Sequence, residues 1–419
     1  MAVAGLAARL GAVTILSAVL DGGQLPEAGL AQAGLADPAD RARAQRLAAL
    51  VLRHLEQCDR VLAPHLRRSP PDFVRHCLRL AVAEMALDGA AAHGAVNAAV
   101  EIVRRAPRGA PFAGLINAVL RKVAALPDPF AGMPVQKLPQ WLRQPLVHAW
   151  GRPAVAGIEA VQAGEPPLDL TLRPGATVDI PGAEVLPTGS LRLAGGVQVS
   201  ALDGFSSGAW WVQDAGAALA ARVLDARAGK RVIDLCAAPG GKTLQMAAAG
   251  AEVTAVDISG PRLVRLQENL RRTGLSARVV TADALHWRPD VPADAVLLDA
   301  PCSATGTIRR HPELPFIRNG SDLGDLVALQ AALIDRAVEM LRPGGRLVFC
   351  TCSILPEEGE GQLAGALARH AGLVVEAFLP EGVDPDWQAA AGGLRLRPDL
   401  WADRGGIDGF FIARLRRAG

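Results

Sequence analysis

The stretch Val232-Ile233-Asp234-Leu235-Cys236-Ala237-Ala238-Pro239-Gly240-Gly241-Lys242-Thr243 decides the fold of this chain. It begins as a short, mostly apolar strand and ends in a glycine-rich turn that leads into a helical run. Gly240 and Gly241 allow the backbone to approach a ligand closely, and the free N–H groups at the start of the following helix then face that ligand. A strand, a glycine-rich turn and a helix in this order predict an open α/β sheet with a ligand at the carboxyl ends of its strands.

The end of this stretch, Gly240 to Thr243, also resembles part of a phosphate-binding P-loop. That motif requires a glycine at position 236, where this chain has Cys236. The sequence therefore disfavours a nucleoside triphosphatase.

The chain from about residue 206 onward alternates between short apolar segments and helical runs. The predicted strands are 232–235, 252–256, 278–280, 295–298 and 346–349, and the predicted helices between them are 243–249, 261–273 and 326–341. This alternation indicates a doubly wound, mostly parallel sheet of the Rossmann-like type, covered on both faces. The segment 409–415 is expected to add a further strand.

The remainder of the chain has a different pattern. Residues 1–130 show helical periodicity throughout, for example at 46–58, 73–87 and 95–105, and predict an all-helical domain. Residues 131–205 are rich in Pro and Gly and predict a small α+β connector to the α/β domain at 206–419. Three domains agree with a length of 419 residues.

The composition is that of a folded cytoplasmic protein. The net charge is +2, and the six cysteines contain no paired CxxC motifs, so we expect reduced thiols and no metal site. The apolar stretch Leu10–Leu20 is too short to cross a membrane, and we expect it to form part of an amphipathic helix.

Three acidic residues close consecutive predicted strands: Asp257, Asp283 and Asp299. A carboxylate at the end of the second strand can accept hydrogen bonds from ribose hydroxyls, and one at the third strand can meet an adenine. A single aspartate at such a position more often caps a turn. Three of them together with the glycine-rich turn favour a nucleoside ligand.

Two cysteines also lie at this edge of the sheet, because Cys302 follows the fourth strand and Cys352 follows the fifth. Most cysteines are small core residues, and we expect Cys350, Cys58 and Cys77 to be of that kind. Cys236 could be a core residue or could line the ligand site through its backbone.

Several strings resemble the RNA cytosine-C5 methyltransferases, specifically the bacterial ribosomal branch with a fused NusB-like domain, the RsmB (Sun/Fmu) family. The matching strings are Asp234 to Thr243, Asp299-Ala300-Pro301-Cys302-Ser303, Gly306 to Pro312, Thr351-Cys352-Ser353, Gln213-Asp214 and Asp408-Gly409-Phe410-Phe411. In the helical region, Ala95 to Glu101 and Asn117 to Arg121 are similar to NusB-type RNA-binding domains.

The resemblance implies the roles of the site residues. Cys352 would be the nucleophile that attacks C6 of the cytosine, and Cys302 would assist release of the methylated product. Asp299 is positioned to hydrogen-bond N3 of the base. The residues implied to bind S-adenosylmethionine are Cys236, Ala237, Ala238, Pro239, Gly240, Gly241, Lys242, Asp257, Asp283 and Asp299.

The resemblance further implies an RNA partner, 16S rRNA free or in an assembling small subunit, with no membrane or metal; we expect a monomer. We also expect Arg309, Arg310 and His311 to contact phosphates beside the flipped base. The chain departs from the family in having no Tyr, and in Ala217-Ala218 where Ser-Gln is usual. The alternatives are a cytosine-C5 methyltransferase acting on tRNA or another RNA, and a non-catalytic RNA-binding assembly or transcription factor.

Overall fold

A computed structural model describes residues 5–419, which separate into two compact units. The first unit comprises the chain up to Arg143 with Gln162–Gly164 and His311–Asn319. The second comprises Gln144–Val161, Glu165–Arg310 and Gly320–Gly419. None of the helices formed by residues 5–419 combines the length and the apolar character that crossing a membrane requires.

The described part of the first unit is helical and contains no strand, which confirms the predicted all-helical N-terminal fold. Its helices are α1 (Leu6–Leu20), α2 (Pro26–Ala33), α3 (Pro38–Arg53), α4 (Leu55–Leu62), α5 (Asp72–Leu87), α6 (Ala92–Arg105), α7 (Ala113–Ala124) and, late in the chain, the short α12 (Leu314–Ile317). Helix α8 (Gln140–Ala163) begins in this unit, but most of it belongs to the second unit, and it is interrupted at Gly151, where φ is 81°.

Helix α1 is the centre of the helical core rather than an amphipathic surface helix. Residues on several of its faces, including Ala12, Val13 and Leu16, are 0% exposed. The prediction of amphipathic character was wrong because neighbouring helices cover α1, and even Arg9 is buried there, 2.9 Å from Glu84 of α5. The helix predicted over 46–58 also breaks at His54, whose φ of −125° is not helical.

The second unit contains a small sheet and a large one. The small sheet consists of β1 (Leu168–Leu172), β2 (Glu184–Val185), β3 (Leu191–Leu193) and β4 (Trp210–Val212), in the antiparallel order β2-β3-β1-β4. The large sheet consists of β5 (Arg231–Leu235), β6 (Glu252–Asp257), β7 (Arg278–Thr281), β8 (Ala293–Asp299), β9 (Leu341–Thr351), β10 (Leu373–Val375), β11 (Leu394–Leu396) and β12 (Phe410–Arg417).

The large sheet has the order β10-β12-β9-β8-β5-β6-β7, with β11 paired to β12. The pairs from β9 to β7 are parallel, and β12 is antiparallel to each of its partners. Its helices are α9 (Ala215–Leu224), α10 (Gly241–Ala248), α11 (Gly260–Thr273), α13 (Leu323–Met340) and α14 (Glu360–Arg369). This arrangement confirms the predicted α/β fold with a mostly parallel sheet.

The parallel pairing fixes where the predicted site residues lie. The carboxyl ends of β5 to β9 meet at one edge of the sheet, where Asp299 lies beside Cys350 in register and Leu235 lies beside Val256. Strand β12 runs in the opposite direction, so the residues just before Phe410 reach the same edge. The glycine-rich turn, the three aspartates and both cysteine loops therefore converge there.

Candidate active site

The turn after β5 is held by backbone geometry and by packing. Gly240, at a φ of 107°, precedes α10, and a Cβ there would lie 2.7 Å from the Leu266 side chain. A Cβ at Gly241 would lie 3.1 Å from Gln213. Both glycines thus let the turn pack tightly against its neighbours, in addition to leaving its backbone open to a ligand.

Asp257 is buried beneath this turn. One carboxylate oxygen accepts a hydrogen bond from the N–H of Ala238 at 3.0 Å, and the other accepts one from Ser259 at 2.8 Å. Each carboxylate oxygen has two lone pairs, so Asp257 retains the capacity to accept a further bond from a ribose hydroxyl.

Asp283 follows β7 at the same edge, and its side chain is 39% exposed. Its Oδ1 accepts a hydrogen bond from Leu285 N at 2.9 Å. The adjacent loop carries Ile258, an apolar side chain that is 71% exposed. Ile258 is not among the predicted site residues, although an apolar residue directly after a strand-end aspartate is a signal that the sequence contains. An exposed apolar surface flanked by acceptors suits a nucleoside, so these residues fit the predicted cofactor.

Asp234 lies behind the turn and is 0% exposed. Its Oδ2 accepts a hydrogen bond from Thr243 at 2.5 Å. Burial raises the pKa of Asp234 to about 7, although the Thr243 hydrogen bond and the charge of Lys242 partly offset that effect. Asp234 thus connects the strand to the first turn of α10.

Lys242 connects the glycine-rich turn to β8. Its Nζ lies 2.7 Å from Asp299 Oδ2 and 5.5 Å from the ring centroid of Phe410. Burial lowers the pKa of Lys242, but the charges of Asp299 and Cys350 outweigh it and the net pKa is raised. Lys242 is therefore a permanent cation, and it holds an Asp299 side chain that is still 29% exposed.

The structure brings Cys302 and Cys352 together, with their sulfur atoms 3.4 Å apart. Both residues are partly accessible, whereas Cys350 is fully buried with its sulfur 3.4 Å from Asp299 Oδ1. The hydrogen bond with Cys352 raises the pKa of Cys302 well above its usual range, and burial and the Cys352 and Glu358 charges raise it further. Cys302 therefore stays a thiol at neutral pH.

The other cysteines take the positions expected of them. Cys58 and Cys77 are buried in the helical core, and burial raises the pKa of each to about 12. Cys236 lies in the glycine-rich turn at a φ of 60°, and burial raises the pKa of its thiol.

The predicted phosphate contact of Arg309 is wrong. Its guanidinium is 0% exposed and forms ion pairs with Asp214 and Asp408, whose side chains are also buried. Arg310 pairs with the same two carboxylates and is 24% exposed. The sequence could not reveal this cluster, because its two aspartates come from segments almost two hundred residues apart.

Comparison with known proteins identifies the family of this chain. A family model described as 16S rRNA methyltransferase RsmB/F matches residues 221–416, and one described as the NusB family matches residues 6–125. The ribosomal RNA small subunit methyltransferase B of Xanthomonas campestris is 34% identical, covering 100% of this chain and 98% of that protein. The protein of the same name from Thermus thermophilus is 37% identical, covering 90% of this chain and 89% of that protein.

The fold also matches a solved structure over nearly its whole length. The crystal structure of PH0851 has a TM-score of 0.73 at 23% identity, covering 98% of this chain and 99% of that one. This chain belongs to the 16S rRNA methyltransferase RsmB/F family, carries a NusB-type helical region, and uses S-adenosylmethionine as its cofactor.

Proposed function

We propose that this protein transfers a methyl group from S-adenosylmethionine to C5 of a cytosine in 16S rRNA, through a covalent bond between Cys352 and C6 of the base. The observation that carries the proposal is the 3.4 Å separation of the Cys352 and Cys302 sulfur atoms, beside the Lys242–Asp299 pair. The rRNA substrate is inferred from relatives named as small-subunit rRNA methyltransferases.

The chemistry requires a thiolate because C5 of cytosine is a weak nucleophile. Attack of the Cys352 sulfur on C6 forms an S–C6 bond and moves the C5=C6 π electrons to C5. Asp299, held by Lys242, hydrogen-bonds N3 of the base through a proton shared between the two groups, since an ionised carboxylate alone can only accept, and this bond steadies the base during the attack. When bound, S-adenosylmethionine supplies a methyl group activated by a positively charged sulfur.

Release reverses the attack. Loss of the C5 proton to a base returns an electron pair to the ring, the C5=C6 double bond re-forms, and the S–C6 bond breaks as Cys352 leaves as a thiolate. Cys302 is protonated and within hydrogen-bonding distance of the leaving sulfur, so it can donate a hydrogen bond to that sulfur as negative charge develops on it.

The rest of the chain presents the substrate. The target base must be unstacked before a thiol can reach C6, which favours a loop or a partly folded region of rRNA. We assign RNA binding to the NusB-like residues 1–130 and catalysis to residues 206–419, with 131–205 connecting them, in a monomer that acts in the cytoplasm. The helical unit exposes several cations suited to phosphate contacts: Arg67, Arg68, Arg104, Arg105, Arg108, Arg121 and Lys122.

The test is transfer of labelled methyl to unmodified 16S rRNA by wild type, Cys352→Ala and Cys302→Ala. We expect 5-methylcytosine from wild type, none from Cys352→Ala, and a protein–RNA adduct that survives denaturing electrophoresis from Cys302→Ala. Cys77→Ala, which removes a thiol from the helical core, is the control and should behave as wild type.

Other outcomes identify the alternatives. Activity in Cys352→Ala, with an inactive Cys302→Ala that forms no adduct, would reverse the two cysteine roles. Methylation of tRNA but not of 16S rRNA would change the substrate. Wild-type protein that transfers no methyl group to any RNA would favour a non-catalytic RNA-binding factor.

A further inference from the structure

A cluster of buried polar side chains joins the loops that carry the two cysteines. Its members are each at most 3% exposed: Ser303, Thr305, Gln330, Thr351, Ser353, Glu358 and Gln362. None of them appears among the predicted site residues. Because buried polar groups are costly unless they are hydrogen-bonded, a cluster of this size beside a reactive pair requires an explanation.

Glu358 is the centre of this cluster. Its Oε1 accepts hydrogen bonds from Ser303 N at 2.8 Å and from Gln330 Nε2 at 2.9 Å, and its Oε2 accepts one from the Ser303 hydroxyl. Its backbone carbonyl accepts a hydrogen bond from Thr351 Oγ1 at 2.9 Å. One residue thus binds the neighbour of Cys302 through its side chain and the neighbour of Cys352 through its backbone.

The hydroxyl groups complete the connection between the loops. Ser353 Oγ lies 3.3 Å from Ser303 Oγ and 3.1 Å from Thr305 Oγ1. The N–H of Gly306 donates to the carbonyl of Cys352 at 2.9 Å. The residues that follow each cysteine are therefore hydrogen-bonded directly to the opposite loop.

Burying the Glu358 carboxylate in this connection costs free energy. The residue is 0% exposed, and the donors to its carboxylate, from Ser303 and Gln330, are uncharged. A buried carboxylate without a cation stabilises a fold less well than apolar packing of the same volume. The Glu358 carboxylate instead fixes the orientation of Ser303, because its two oxygens accept hydrogen bonds from the N–H and the hydroxyl of that serine, one residue after Cys302.

We propose that Glu358 is a positioning residue that holds the Cys302 thiol against the Cys352 sulfur, and that it acts on the release step. The inference rests on the proposed function, in which Cys302 assists departure of Cys352 from the methylated base. Glu358 itself touches neither sulfur, and it acts by fixing Ser303. The charge of Glu358 also contributes to the raised pKa of Cys302, after the Cys352 hydrogen bond and burial.

The test measures decay of the protein–RNA adduct after a single turnover with labelled S-adenosylmethionine. In Glu358→Ala we expect the adduct to persist roughly tenfold to a hundredfold longer than in wild type, the range that corresponds to loss of a hydrogen bond to a charged group. Glu357→Ala removes the same side chain from the adjacent, exposed position and should decay at the wild-type rate.

Two further variants separate positioning from a general structural role. Glu358→Gln keeps an acceptor for Ser303 N, and its amide can donate to the Ser303 hydroxyl, so decay should return to within about threefold of wild type. In a Cys302→Ala background, Glu358→Ala should slow decay no further. If Glu358→Ala does not fold, Ser303→Ala removes one of the same hydrogen bonds and should slow decay in the same direction by a smaller factor.

Three results would overturn the role of Glu358: decay at the wild-type rate in folded Glu358→Ala, equal defects in Glu358→Gln and Glu358→Ala, or an added defect in the Cys302→Ala background. Failure of the proposed function looks different. Wild type would then form no 5-methylcytosine, or Cys302→Ala would accumulate no adduct, before any Glu358 variant is measured.

Discussion

Arg309 shows at the residue scale how this site uses buried charge. Its guanidinium donates to Asp408 Oδ1 and to Asp214 Oδ2, and Asp214 in turn caps α9 by accepting from Gly216 N at 2.8 Å. Burial alone would raise the pKa of Asp214, but Arg309 and Arg310 outweigh it and lower that pKa. The cluster ties the loop after Cys302 to the residues just before β12 and so supports the loop that carries Cys302.

Removing the Arg309 guanidinium should strongly destabilise the folded protein. Arg309→Ala leaves two buried carboxylates with only Arg310 between them, and breaking such a pair costs about 3–5 kcal/mol of the free energy of unfolding. Arg278→Ala is the matched control, since Arg278 is 63% exposed and pairs with an exposed Asp290, so its loss should cost less than about 1 kcal/mol. Urea denaturation followed by tryptophan fluorescence measures both, and equal effects would contradict the assignment.

At the element scale, the segment that leads into β12 is in backbone contact with the loop after Cys302. The strand inserts between β9 and β10, and the residue just before it meets the loop after Cys302, where Gly409 N donates to Gly306 O at 2.9 Å. The approach is so close that a Cβ on Gly306 would lie 2.0 Å from the carbonyl oxygen of Gly409. The three nearest atoms that this Cβ would meet all belong to the backbone of Gly409, so they cannot move without displacing the segment that leads into β12.

Gly306→Ala should therefore separate the loop from β12. We expect a loss of roughly 1–3 kcal/mol in the free energy of unfolding, as for other overpacked sites, together with slower methyl transfer. Gly324→Ala on α13 is the control, because a Cβ there meets nothing within 4 Å and should change stability by less than about 1 kcal/mol. Wild-type activity and stability in Gly306→Ala would contradict this prediction, because they would show that the loop and the strand can move apart at little cost in free energy.

At the scale of the whole molecule, the two units have separate cores and separate chemistry. The helical core is built from residues such as Leu16, Leu47 and Leu78, and it contains none of the proposed cofactor residues. The second unit contains the proposed cofactor residues and the two loops that carry the partly accessible Cys302 and Cys352. Ligand binding should accordingly stabilise the units to different extents.

Hydrogen exchange with and without S-adenosylhomocysteine tests this division. At about one hundred times its dissociation constant, a ligand that binds only the folded form contributes about 2.7 kcal/mol. We expect increased protection of amides in β5, β6 and the turn at Gly240, and unchanged protection in α1 and α5. Asp257→Ala at the same ligand concentration should lose the added protection, whereas equal protection in both units would contradict a cofactor site confined to the second.

The fold class, and the set of strand ends and loops that meet at one edge of the sheet, could be predicted from the sequence alone. Three local patterns allow this prediction: strand–helix alternation, the glycine-rich turn and the strand-end aspartates. Parallel pairing then brings the carboxyl ends of the strands to one edge of the sheet, independently of side-chain contacts. Short strands such as β10 and β11 escaped prediction because three residues are too few to show periodicity.

Only the tertiary structure decided which side chains pair. The burial of Arg309 between Asp214 and Asp408, and of Glu358 between the two cysteine loops, depends on segments distant in the chain. A charged residue in a sequence has the same appearance whether it meets solvent, RNA or a buried partner. The difference arises from desolvation and hydrogen-bond geometry, which exist only once the chain has folded.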